Sequence, residues 1–114
     1  MNIETEDYTI WYEPTTTTVN FKGLLRESLI ADYKPIEELL DQVMVQELPL
    51  ITMNLQQLEF LNSSGMSVLS RFVIRVRKQK TTQLRVTGSR QMPWQEKLLS
   101  NWQRLMPNLK VEWE

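Results

Sequence analysis

The sequence contains no cysteine and no histidine. The first absence removes disulfide frameworks and thiol nucleophiles, and the second removes imidazole general bases; together they remove the common zinc sites. With only three glycines, no glycine-rich phosphate loop is present either. A catalytic serine would depend on a lysine or a carboxylate for activation, and near the most informative serine, Ser63, only Glu59 stands close in sequence. These absences point away from an enzyme and imply no cofactor and no metal. No apolar run approaches the ~18–20 residues of a membrane span, and Met1-Asn2-Ile3-Glu4 lacks the basic and apolar regions of a secretory leader. A cytoplasmic protein without membrane insertion is expected.

The chain does have 114 residues, 41% of them hydrophobic and 24% charged, enough for one domain over residues 1–114 whose core needs no covalent staples. Its net charge of −1 conceals a strong asymmetry. Residues 1–59 hold 11 acidic and 3 basic side chains, whereas residues 60–95 hold 7 basic and none acidic. This basic block comprises Arg71, Arg75, Arg77, Lys78, Lys80, Arg85 and Arg90. No nucleic-acid motif accompanies it, so pairing with the acidic half of the same chain, or exposure to water, is expected in place of nucleic-acid binding.

Periodicity places the elements. Tyr8, Ile10 and Tyr12 alternate with Thr9 and Trp11, and after Pro14 and four threonines Val19, Phe21 and Gly23 alternate with Asn20 and Lys22, which predicts a hairpin. Pro35 suits a first helical turn, and Ile36, Leu39, Leu40, Val43 and Met44 follow at helical spacing. Residues 48–55 form a short, largely apolar run of the kind that becomes a covered strand. A second helix follows the polar turn Asn62-Ser63-Ser64-Gly65, with Met66, Leu69, Phe72, Val73 and Val76 as its apolar stripe and Arg71, Arg75 and Lys78 on another face. Residues 84–88 predict a strand, Pro93 opens a third helix with Trp94 and Trp102 facing the core, and residues 109–113 predict a last strand. The alternation implies an α/β fold, a mixed β-sheet of about four to five strands packed against α-helices.

The most informative segment is the strand-to-helix junction around Asn62-Ser63-Ser64-Gly65-Met66. Backbone N–H groups at a helix start point outward unpaired and the macrodipole is positive there, so a phosphate on a hydroxyl at this point would be stabilised. The plain structural alternative is that Asn62 or Ser63 caps the helix, with Ser64 in its first turn and Gly65 fitted for close packing.

The stretch Met53 to Leu69, with Asn62-Ser63-Ser64-Gly65 at its centre, resembles the signature of STAS domains, the family of the SpoIIAA-like anti-sigma factor antagonists. The order of elements, with Gly23 and Gly88 at strand ends, resembles the STAS fold as well. In that family the motif is Asp-Ser-Ser-Gly and the serine after the Asp is phosphorylated, which by position implicates Ser63. Asn62 departs from the family Asp. The words Leu61-Asn62-Ser63-Ser64 also resemble the junction of SiaC-like STAS regulators of diguanylate cyclase signalling, which again selects Ser63.

The resemblance implies a non-enzymatic switch. Ser63 would be the phosphoacceptor for a partner serine kinase, which in the family can also be the anti-sigma factor, and a phosphatase would reverse the modification. Asn62, Ser64, Gly65, Met66, Arg71, Arg75 and Lys78 are the candidate partner-binding residues, the three cations suiting an acidic partner. Two alternatives accompany it: a SiaC-like regulator of a cyclase pathway, or a phosphorylation-independent accessory subunit of a transporter ATPase. A homodimer is compatible with either.

Overall fold

The computed structural model describes all 114 residues. In chain order it contains β1 (Asn2–Glu4), β2 (Tyr8–Glu13), β3 (Thr18–Leu25), a short 3-10 helix (Ile30–Tyr33), α1 (Lys34–Met44), β4 (Leu50–Leu61), α2 (Ser63–Gln79), β5 (Gln83–Gly88), α3 (Trp94–Leu105) and β6 (Lys110–Trp113). The six strands lie in the sheet in sequence order. β2 is antiparallel to both its neighbours, β1 and β3, while β3, β4, β5 and β6 run parallel, so the sheet is mixed.

The sheet exceeds the expected four to five strands by one short strand. β1 has three residues and exists only through its pairing with Trp11, Ile10 and Thr9 of β2. A run that short carries no periodicity of its own. β4 is also longer than the 48–55 segment suggested, because it continues through the polar residues Gln56, Gln57 and Glu59 to Leu61. Its pairing with β5 ends at Asn54, and the remainder pairs with β3 alone across two register shifts.

Strands that advance in one direction, joined by right-handed crossovers, leave their helices on one face of the sheet. Ile10, Val19, Phe21, Ile51, Met53, Leu84 and Val86 are buried beneath those helices together with Leu39, Leu40, Phe72, Val73, Leu98 and Trp102. The other face is polar: Asn54 donates to Asn20 at 3.0 Å and Arg85 to Thr52 at 3.2 Å across neighbouring strands. Gly23 carries the one positive φ among the glycines, +101°, and a Cβ there would lie 2.3 Å from the Asp7 carbonyl oxygen, so the β2–β3 ladder closes over a residue without a side chain. No helix is long and apolar enough to cross a membrane.

α3 also supplies what β4 lacks. Where β4 has lost β5 as a neighbour, the buried Gln95 donates to the carbonyls of Leu55 at 2.8 Å and Leu58 at 3.1 Å, and the Trp94 indole donates to that of Glu59 at 3.2 Å. Gln95 further accepts the Ser89 N–H at 2.8 Å. Side chains from one helical turn thus take the place of a strand along this edge and pair three of its carbonyls. They hold the segment that leads into Ser63.

Candidate functional site

β4 ends at the buried Leu61, and Asn62 is in an extended conformation with φ −80° and ψ 175°, as a helix cap requires. Its Oδ1 accepts the Gly65 N–H at 2.9 Å, and its backbone carbonyl accepts the Met66 N–H at 2.8 Å. Of the two capping residues allowed by the sequence, the structure selects Asn62. Ser63 is the first residue of α2; its side chain is exposed and makes no hydrogen bond. Ser64 is half-buried, and Gly65 is buried. A Cβ on Gly65 would lie 2.6 Å from Leu61 Cδ1 and 3.0 Å from the Tyr33 hydroxyl, so close packing explains this glycine.

The cap belongs to a closed network. Tyr33 O–H donates to Asn62 Oδ1 at 2.7 Å and accepts the Glu27 N–H at 3.2 Å. Asn62 Nδ2 donates to the Glu27 carbonyl at 2.9 Å, and the Asn62 N–H donates to the Leu25 carbonyl at 3.0 Å. Asn62 therefore ties the end of β3, the following loop, the buried Tyr33 and the first turn of α2 to one point. An aspartate could keep both contacts at Oδ1 but could not donate to Glu27. Burial first, with a smaller contribution from the Glu27 charge, raises the Tyr33 phenol above its usual pKa.

The basic face of α2 is largely engaged within the chain. Arg71 lies 3.7 Å from Glu37, and Arg75 forms an ion pair with Asp41, both acids being on α1. Arg77 donates to the Leu105 carbonyl at 2.8 Å. Lys78 is exposed, without an ion pair, and 15 residues along the helix from Ser63, about 22 Å at 1.5 Å per residue.

Met66 departs from the expected apolar stripe: it is 37% exposed, and Val68 takes its place in the core. Phe60, at 48%, lies three residues before Ser63 as Met66 lies three after it. Of the two tryptophans assigned to the core, Trp102 is fully buried and donates to Ser70, whereas Trp94 is only partly buried against it. No cluster of three or more acidic side chains is placed to hold a metal ion.

Sequence reasoning missed Glu27, Tyr33, Trp94 and Gln95 as supports of this junction. Each acts over 29 to 40 residues of chain separation, and none carries a motif.

No protein-family model and no curated protein matches the chain by sequence. Solved structures do match by shape. A chain of the crystal structure of diguanylate cyclase SiaD in complex with its activator SiaC from Pseudomonas aeruginosa matches with a TM-score of 0.76 at 10% identity, over 100% of this chain and 99% of that one. SiaC of Pseudomonas aeruginosa matches with a TM-score of 0.74 at 10% identity, over 100% and 98%. An anti-sigma factor antagonist from Mycobacterium paratuberculosis matches with a TM-score of 0.61 at 16% identity, over 96% of this chain and 82% of that one. The fold is STAS-like. At these identities the likeness is one of architecture, and it agrees with both resemblances seen at the Asn62-Ser63-Ser64 junction.

Proposed function

We propose that this chain is a non-catalytic partner-binding switch, with its docking surface at the amino end of α2 and its state set by a phosphate on Ser63. The observation that carries this is the free Ser63 hydroxyl: it is exposed at the first position of a 17-residue helix, and Asn62 already performs the capping. Modifying Ser63 therefore costs the fold no hydrogen bond.

A serine kinase would transfer the terminal phosphoryl group of a nucleoside triphosphate to Ser63 Oγ, and a phosphatase would return the hydroxyl by hydrolysis. The phosphate adds about −1.5 to −2 charge and three acceptor oxygens. The helix start stabilises that charge within the protein, so the backbone changes little and the contact surface changes greatly. A partner packed over Ser63 would have to desolvate the phosphate, and is released; one bearing arginines in the right place is recruited.

For the output, a SiaC-like role in a diguanylate cyclase pathway has more support than a sigma-factor circuit. The shape match spans nearly the whole of SiaC against 82% of the anti-sigma factor antagonist, and Asn62 agrees with the SiaC-like junction. Comparative capture from the native cell with Ser63→Ala and Ser63→Asp baits tests the switch. One bait should retain a signalling protein that the other loses. Equal retention of the same transporter subunit by both would favour a permanent accessory role and remove the switch.

A further inference from the structure

Six large hydrophobic residues are exposed in the whole chain, and four of them, Leu29, Ile30, Phe60 and Met66, lie on segments that meet at Asn62. Leu29 is 64% exposed and Ile30 49%. They begin the 3-10 helix whose last residue, Tyr33, bonds to Asn62, so they stand beside the same helix start that Phe60 and Met66 flank along the chain. We infer that the loop from Arg26 to Tyr33, locked to α2 by the Asn62 amide, is the specificity-determining half of the docking surface, and that it receives an amphipathic partner segment with an apolar stripe flanked by lysine or arginine. This rests on the amino end of α2 being the docking surface.

Two observations define the occupant. The backbone that carries the apolar pair is tied down: Glu27 is held through both its N–H and its carbonyl, and the Asp32 carboxylate accepts the Leu29 N–H at 3.4 Å. An apolar pair on a backbone already ordered loses less freedom when it is covered, which suits it to anchor an interface. The charge around it is negative. Glu27 and Asp32 lie on the loop itself and Lys34 follows it, while the Arg26 guanidinium is held on both Asp7 carboxylate oxygens. The field of Glu27 and Asp32 reaches Tyr8, whose phenol is raised in pKa first by burial and then by those charges. A basic flank complements this rim and an acidic one is repelled. The partner predicted for the basic face of α2 was acidic; at the helix start the sign is reversed.

The probe is a synthetic helical peptide of leucines and lysines in amphipathic order, with a control in which every lysine is glutamate, titrated into the unmodified, isotope-labelled chain. The lysine peptide should shift the amides of residues 26–33 and 59–67, and the glutamate peptide should bind at least roughly tenfold more weakly. Leu29→Ser with Ile30→Ser, both exposed, should weaken binding roughly tenfold without changing the fold. Asn62→Asp retains the two Oδ1 contacts and loses only the donor to Glu27, so amide exchange should quicken in residues 26–33 while α2 stays protected, and peptide affinity should fall. Equal binding of the two peptides, shifts located elsewhere, unaltered affinity in these variants, or a concentration-dependent dimer covering the same amides would overturn the inference. Because no phosphate is involved, its failure leaves Ser63 modification standing, and an unmodified Ser63 in cells leaves peptide binding intact.

Discussion

The two ends of α2 differ in how their side chains are used. From Arg71 to Arg77 the helix carries cations, and three arginines are engaged by Glu37, Asp41 and the Leu105 carbonyl. From Ser63 to Val68 it has no charge, yet there the chain leaves Ser63 and Met66 uncovered. The conspicuous charge cluster of the sequence thus helps bind the molecule to itself, and the uncharged turn before it remains available. A run of like charge reports a surface only after its partners within the fold have been counted.

Removing the amino-end network should have the largest effect. Asn62→Ala deletes a helix cap and leaves the Tyr33 O–H without an acceptor and the Glu27 carbonyl without a donor, an expected loss of about 3 kcal/mol in urea unfolding. Gly65→Ala should follow. Its new methyl costs roughly 1–3 kcal/mol against Leu61 and Tyr33, offset by about 1 kcal/mol of helix preference, so the unfolding midpoint should fall.

Alkaline pH separates the two ends without mutation. The unfolded chain ionises its tyrosines near 10, whereas burial raises the Tyr33 phenol above 10.0 in the folded protein. The neutral phenol thus contributes stability that is complete below pH 10 and is lost as pH rises from 10 through the raised value. Amide exchange should increase around residues 26–33 and 62–66 over that window, ahead of residues 71–77.

At the other end, Arg75→Ala should cost no more than about 0.5–1 kcal/mol, because its pair with Asp41 is half-exposed to water. Ser63→Ala should be the smallest change, within about 0.5 kcal/mol, since Asn62 holds the cap. A loss beyond about 1.5 kcal/mol for Ser63→Ala would give the hydroxyl a structural duty and weaken its assignment as a phosphoacceptor.

The elements with strong local periodicity are legible in the sequence. Pro35 and the 36–44 spacing locate α1, the alternation in residues 8–12 and 19–23 locates the hairpin, and Asn62-Ser63-Ser64-Gly65 locates the start of α2. β1 is not legible, because three residues become a strand only when β2 is beside them. The second half of β4 is hidden by Gln56, Gln57 and Glu59, whose polarity fits a strand that has lost one neighbour and is held by Gln95 and Trp94. Met66 falls on the helical stripe by spacing, but the buried stripe centres on Gly65, Val68, Leu69, Phe72, Val73 and Val76, and Met66 at its edge is left exposed.

The layering of strands and helices, the absence of thiol and imidazole chemistry, and the serine at a helix start all follow from residue type and short-range spacing, so the amino-acid order alone was enough for them. The three-dimensional arrangement was needed to establish that Asn62 is the cap, that Tyr33 and Glu27 fix it in place, and that Arg71 and Arg75 turn toward α1. Those outcomes depend on which groups meet across about 30 residues of chain, where hydrogen-bond geometry and burial select among partners that sequence spacing leaves equivalent.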